Sequence, residues 1–243
     1  MGRRREIQMA FEKLAIKIRE HLFEKGAGKV GFADIRGVSQ ELEKKWSVAV
    51  SIAYPLDREV LKEIYEGPTK NYRDEYVRVN KVLAILGQNV CDLIQKTGYE
   101  THLVGPTTES WNKRTLSAEF PHKTAATRSG LGWIGKCALL VTREYGSAVR
   151  LCTIMTDAPL PVGKPVEQSF CGSCNQCRKV CPVSAPYGKE WSPSLSREDI
   201  IDIRTCHDQA KAFSNARDLG HTICGICMVA CPWTRAYINS DHV

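Results

Sequence analysis

The chain lacks any run approaching the ~18 consecutive apolar residues of a membrane-spanning helix. No secretory leader is visible in it: the basic opening runs directly into Glu6, Glu12 and Lys13, which interrupt any apolar stretch. Repeats outside the cysteine-rich segment, low-complexity tracts and disorder-prone composition are missing too. Apolar residues make up 43% and charged residues 25%, the mixture of an ordinary globular protein, and the expected location is cytoplasmic. Eleven cysteines in 243 residues are too few for a disulfide scaffold, a class that starts at roughly 8–10% Cys.

The cysteines are unevenly spread. Cys91, Cys137 and Cys152 stand apart and read as small buried hydrophobes. Cys171, Cys174, Cys177, Cys181, Cys206, Cys224, Cys227 and Cys231 crowd into the last 73 residues. Without an export signal, such clustering favours metal ligation over disulfides. Cys171-x-x-Cys174-x-x-Cys177-x-x-x-Cys181-Pro182 has the spacing of the bacterial two-cluster ferredoxin run, in which the fourth Cys ligates the other cluster. Cys224-x-x-Cys227-x-x-x-Cys231-Pro232 repeats the pattern without its first member, which Cys206 would supply. The crossed reading predicts one [4Fe–4S] cluster on Cys171, Cys174, Cys177 and Cys231, and a second on Cys181, Cys206, Cys224 and Cys227. Zinc is the alternative, but zinc knuckles do not need three cysteines in seven residues. The formal charge of +7 falls to about +3 once two cubanes of about −2 each are bound, which makes it a weak sign of nucleic-acid binding.

Periodicity predicts helices over 7–25 and 71–97 and a short one over 121–129 with Pro121 in its first turn. Strands are predicted at 29–35, 46–53 and 99–104. Two more are predicted at 137–143 and 147–155, joined by a turn at Tyr145-Gly146. The proline-rich stretch 158–165 reads as a linker between an α/β domain, 1–157, and a cysteine-rich domain, 166–243.

The motifs GLGWIGK (130–136), EYGS (144–147) and TDAPLP (156–161), followed by both cysteine sets, resemble the epoxyqueuosine reductase family, in particular its compact double-cluster members. The resemblance runs from about residue 72 to 235. It implies an α/β (α+β) fold: a nitroreductase-like, cobalamin-processing-like corrinoid-binding domain before a two-cluster, bacterial ferredoxin-like domain. It implies base-off cobalamin, two [4Fe–4S] clusters feeding electrons to cobalt, and reduction of epoxyqueuosine on tRNA. A low-potential donor of ferredoxin or flavodoxin type would supply the electrons. No membrane partner is expected.

Two departures stand out. The family's C-terminal helical-repeat extension is expected to be absent, since only twelve residues follow Cys231. The family carries an Asp, proposed as proton donor, at the position of Leu116; Glu119 and His122 are the candidates to replace it. The departures leave open an alternative role: an electron-transfer protein or reductive activator of a partner corrinoid protein, without a tRNA substrate.

Within the corrinoid half, Gly130, Gly132 and Gly135 permit close backbone approach, so the turn could bind the corrinoid's phosphate and amide tail. Leu131 and Trp133 offer apolar surface and Lys136 a cation. Lys123 and His122 are expected to face the same pocket, and Ser147 to bond a side-chain amide of the corrinoid. Tyr72 and Tyr76 share a helix face that either walls a cofactor or belongs to the core. Glu100-Thr-His102-Leu-Val-Gly105 is one residue short of a motif that ligates cobalt through histidine, and its simpler reading is a histidine at a strand end.

Overall fold

The computed structural model describes residues 2–106, 112 and 114–240, with side chains from Arg5 onward. Helix α1 (Gly2–Glu24) opens the chain. The periodicity puts Ile7, Phe11, Leu14, Ile18 and Leu22 on one face; the helix buries Phe11, Ile18 and Leu22 together with Ala15, while Ile7 stays exposed. Gly26, at φ +86°, ends it: Ala27 N–H reaches back to Leu22 O and Gly26 N–H to Phe23 O, the paired bonds of a Schellman stop.

Strands β1 (Lys29–Asp34) and β2 (Val48–Pro55) follow. The four-residue helix α2 (Arg58–Leu61) leads to the long helix α3 (Lys70–Gln95). Thr69 caps α3, its hydroxyl accepting from Tyr72 N–H at 3.1 Å. Strand β3 (Thr101–Val104) precedes helix α4 (His122–Arg128). Pro121 sits at the cap of α4, one position before the first turn.

The expected hairpin at Tyr145-Gly146 does not form. Instead β4 (Trp133–Ile134) pairs with β5 (Leu140–Val141), and β6 (Val149–Thr156) enters the main sheet. Only one bridge, Thr142 to Gly146, closes the turn. A strand as apolar as β6 is better satisfied between two partners than at the edge of a hairpin. It lies between β2 and β3 in an antiparallel sheet of order β1-β2-β6-β3.

The sheet's two faces differ in side-chain size. Val48, Val50, Ile52, Cys152 and Ile154 join α1 and α3 in the largest core cluster. The opposite face carries Gly31, Ala33, Ala49, Ser51 and Ala53, small enough for α4 to lie close with Ala125 and Ala126. A Cβ added at Gly31 would stand 2.7 Å from the Ser129 side chain.

Beyond the sheet come α5 (Gln176–Lys179), α6 (Ile203–Ala216), α7 (Ile226–Val229) and α8 (Pro232–Ile238). The segment expected to be a linker is tied down: Leu160 is buried, Gly163 N–H donates to Phe32 O and Val166 N–H to Thr127 O. The core also crosses the expected boundary. Leu219, Ile223, Met228, Val229, Tyr237 and Ile238 share one cluster with α1, α3 and the sheet, and Tyr237 donates its hydroxyl proton to Leu56 O at 2.8 Å. Among the described residues no helix is long and apolar enough to cross a membrane.

Candidate iron–sulfur and cofactor site

Short helices and turns position the eight clustered cysteines. Cys177 lies on α5, and Cys181 follows it. Cys206 sits near the start of α6, which Asp202 caps by accepting from Arg204 and Thr205 N–H. Gly225, at φ +92°, turns the chain into α7, which carries Cys227. Cys231 caps α8, and Pro232 takes the first helical position, where a missing N–H costs nothing.

Two groups emerge. Cys231 and Cys171 pack against Trp133, and the charges of Cys171 and Cys174 help burial to push the Cys231 thiol up. Burial, then the charges of Cys224 and Cys181, pushes the Cys206 thiol up to about 11. Cys181 and Cys206 also share one apolar cluster with Ile134 and Ala138. Cys137 lies between the groups, within hydrogen-bonding reach of Cys177 and Cys227. Among the described residues no three His, Cys, Asp or Glu side chains converge as they would around a single ion. A cubane spreads its thiolates wider, because each binds a different iron. Thiols raised in this way lose their protons when iron arrives, so loading releases protons. The orphaned Trp133 indole N–H beside Cys171 and Cys231 is a second sign that the pocket suits an acceptor-rich group.

A cavity of about 760 Å³ lies beside these cysteines, between α4, residues 115–118, β6 and the 191–200 segment. Leu139, Leu140, Val149 and Leu151 supply apolar wall, while Lys123, Thr124, Ser147, Arg150 and Arg197 supply polar groups. A smaller cavity of about 410 Å³ shares Leu116, Lys123, Leu139, Ser147 and Arg150 with it. That second cavity reaches Tyr72, Tyr76, Cys137, Cys206, Cys224 and Cys227. The two spaces therefore share a wall, and the smaller one separates the larger pocket from these cysteines.

The candidate acids fare differently. His122 lines the large cavity, but both ring nitrogens are engaged. Nε2 lies 3.1 Å from Gly105 O, a pure acceptor, so Nε2 carries the proton and Nδ1 accepts from Thr153 Oγ1 at 2.8 Å. Burial holds its pKa down at about 4, leaving the ring neutral at pH 7. Glu119 is exposed and pairs with His102 at 3.2 Å; it does not line the cavity. His102 is likewise outside, stacked on Trp46.

Leu116 lines both cavities at φ +51°, and Arg197 holds its segment by donating to Leu116 O and Thr115 O, each at 2.7 Å. Lys123 donates to Ala138 O at 2.6 Å, and burial lowers its pKa. Ser147 lines the cavities too, with its N–H donating to Thr234 Oγ1 at 2.9 Å.

Of the GLGWIGK turn, only Ile134 reaches the large cavity. Gly130 and Gly132 instead pass close to Lys164 O and Val141 O, and Leu131 is buried with Ala53 and Ala126. Trp133, Gly135 and Lys136 face the first cysteine run. Two basic residues of the cavity wall, Arg150 and Arg197, were missed by the sequence reading. Arg150 had a signal, a lone charge in the apolar strand VRLCTIMT; it donates to Asn80 Oδ1 at 3.0 Å and stacks on Tyr76 at 4.3 Å. Arg197 had none, because its contacts lie 81 and 82 residues away.

Fold and site together define an α/β domain merged with a double-cluster iron–sulfur domain. Residues 170–234 match the family described as 4Fe-4S double cluster binding domain. The chain is a relative of the epoxyqueuosine reductases. It is 30% identical to the Vibrio cholerae epoxyqueuosine reductase over 172 residues, covering 67% of this chain and 41% of that one. It is 34% identical to the Escherichia coli epoxyqueuosine reductase over 122 residues, covering 49% and 31%. The chain thus spans well under half of these relatives.

Among solved structures, a reductive dehalogenase described as performing B12-dependent dehalogenation shares the fold at TM-score 0.68 and 20% identity, over 93% of this chain and 32% of that one. The Bacillus subtilis epoxyqueuosine reductase matches at TM-score 0.62 and 18% identity, over 93% and 67%. An epoxyqueuosine reductase bound to a modified tRNA stem loop matches at 0.61 and 19%, over 96% and 68%.

Proposed function

We propose that this protein is a cytoplasmic corrinoid-dependent iron–sulfur reductase of the epoxyqueuosine-reductase type. One observation carries the reading: Cys206, Cys224 and Cys227 line a smaller cavity that shares a wall with the 760 Å³ cavity. That adjacency supports an electron route from the cysteine domain to a cofactor in the pocket.

Cys171, Cys174, Cys177 and Cys231 would hold one [4Fe–4S] cluster. Cys181, Cys206, Cys224 and Cys227 would hold the other, beside the cavity. Leu139, Leu140 and Val149 would exclude water beneath a flat ring, while Lys123, Arg150 and Arg197 would orient its amide and phosphate groups. When bound, the clusters supply single electrons and a base-off corrinoid supplies a strongly reducing cobalt centre.

The substrate proposed by kinship is the epoxide of epoxyqueuosine on tRNA. The electron donor would be a low-potential protein of ferredoxin or flavodoxin type. Leu116 has no proton to give, and His122 commits its Nε2 proton to the Gly105 carbonyl. Lys123 Nζ, with one N–H committed to Ala138, would hold a proton inside the cavity. A protein that only relayed electrons to a partner corrinoid protein would leave the large cavity without a role.

Anaerobic reconstitution with iron, sulfide and cobalamin tests the reading. The expected product holds about eight irons and one corrinoid per chain and consumes epoxyqueuosine-tRNA when given a reduced donor. Zinc in place of iron, or no retained corrinoid, would overturn it. Full loading without turnover would favour the activator role.

A further inference from the structure

The GLGWIGK turn was expected to cradle a corrinoid, yet three of its residues face the first cysteine run. Trp133 is 1% exposed. Its ring packs on Val141, Val166, Phe170 and Trp233, and on the sulfur-bearing side chains of Cys171 and Cys231. Its indole nitrogen is buried and has no hydrogen-bond partner among the described residues. Buried donors are nearly always paired. Aliphatic and aromatic neighbours offer no strong acceptor, so the sulfur side remains. Two residues on, a Cβ at Gly135 would stand 3.7 Å from Cys171 Sγ. Lys136, 6% exposed, donates from Nζ to Gly172 O at 2.6 Å, inside the turn that joins Cys171 to Cys174.

We propose that this turn serves the Cys171–Cys174–Cys177–Cys231 cluster: Trp133 donates its indole N–H to the cluster's sulfur, and Lys136 places a buried positive charge beside it. The inference rests on the double-cluster assignment and not on the corrinoid. Reduction adds one negative charge to a cluster. A nearby donor and a nearby cation both stabilise that added charge, so both raise the potential. The Cys171 cluster is then easier to reduce than it would be without these two groups.

The test is an anaerobic potentiometric titration of the reconstituted holoprotein, followed by EPR, on wild type, Trp133→Phe and Lys136→Met. The relevant signal is the one missing from a Cys231→Ser variant. In each variant the reduced-to-oxidised ratio of that cluster at a fixed potential is expected to fall about tenfold, which is about 59 mV for one electron. The second cluster, the iron content and the cobalamin content stay unchanged. A parallel readout uses the wild type alone: with 15N-indole tryptophan, the reduced cluster is expected to show a nitrogen coupling, which Trp133→Phe removes.

Absence of that coupling in the labelled wild type overturns the proposal. So do unchanged potentials with reduced cobalamin occupancy, which would return the turn to the corrinoid. Iron-loaded protein that binds no cobalamin but shows both effects would defeat the proposed function and leave this inference standing.

Discussion

Replacing Gly146 with alanine is expected to break the joint between the sheet and the last helix. Gly146 adopts φ +54°, and a Cβ there would lie 2.2 Å from Thr234 N, 2.4 Å from Thr234 Oγ1 and 2.5 Å from Thr234 Cα. Ordinary contact needs about 3.5 Å, so α8 would have to retreat by roughly 1.3 Å. Left-handed backbone costs alanine about 1–2 kcal/mol, and overpacking adds about 1–3 kcal/mol. A loss of about 2–5 kcal/mol corresponds to roughly 4–20 °C in apparent Tm for a chain of this size. Cys231 caps the same helix three residues before Thr234, so iron retention should fall toward half, with the Cys171 cluster lost first. Thr234→Ala is the control: it removes the acceptor of Ser147 N–H, costs about 1–3 kcal/mol and leaves the helix in place. Adding Thr234→Ala to the glycine variant should restore little, because two of the three close atoms are backbone. Anaerobic melts and iron analysis decide. A Gly146→Ala protein with full iron and a Tm within about 2 °C of wild type would refute the argument.

Three further outcomes are expected. His122 has a folded pKa of about 4 against an ordinary value of 6.5, so the unfolded chain binds the extra proton between those values. Its stabilising contribution is complete above pH 6.5 and is lost as pH falls toward 4, a change of about 3 kcal/mol at most. Urea melts of His122→Gln should show a flatter acid limb than wild type. Cys206→Ser should lower iron from about eight to about four per chain, with the surviving EPR signal unaltered in potential. Arg197→Ala should free the carbonyls of Thr115 and Leu116, and hydrogen exchange over residues 114–118 should rise several-fold while the cysteine region stays protected.

Local pattern was enough to find α1, α3 and α4. The apolar stripe of α1 acts over a few residues, so it could be read directly. Cysteine spacing is equally local, because three thiolates two residues apart already suit one cubane. The kinship with epoxyqueuosine reductases also rested on short motifs. What those motifs touch was not legible. Ser147 lines the cavity, but the GLGWIGK turn faced the cysteines through Trp133 and Lys136, and Glu119 swung out to His102. The supposed hairpin at Tyr145-Gly146 dissolved because β6 found β2 and β3.

By itself, then, the order of residues determined the helical stripes and the spacing of the eight clustered cysteines. Only the tertiary structure decided which cysteines border the smaller cavity, which basic side chains line the larger one, and that the expected linker is part of one continuous core. The physical reason is range: capping, periodicity and ligand spacing are satisfied within a few residues. A cavity wall such as Arg197 against Leu116 exists only after segments 81 residues apart have been packed together.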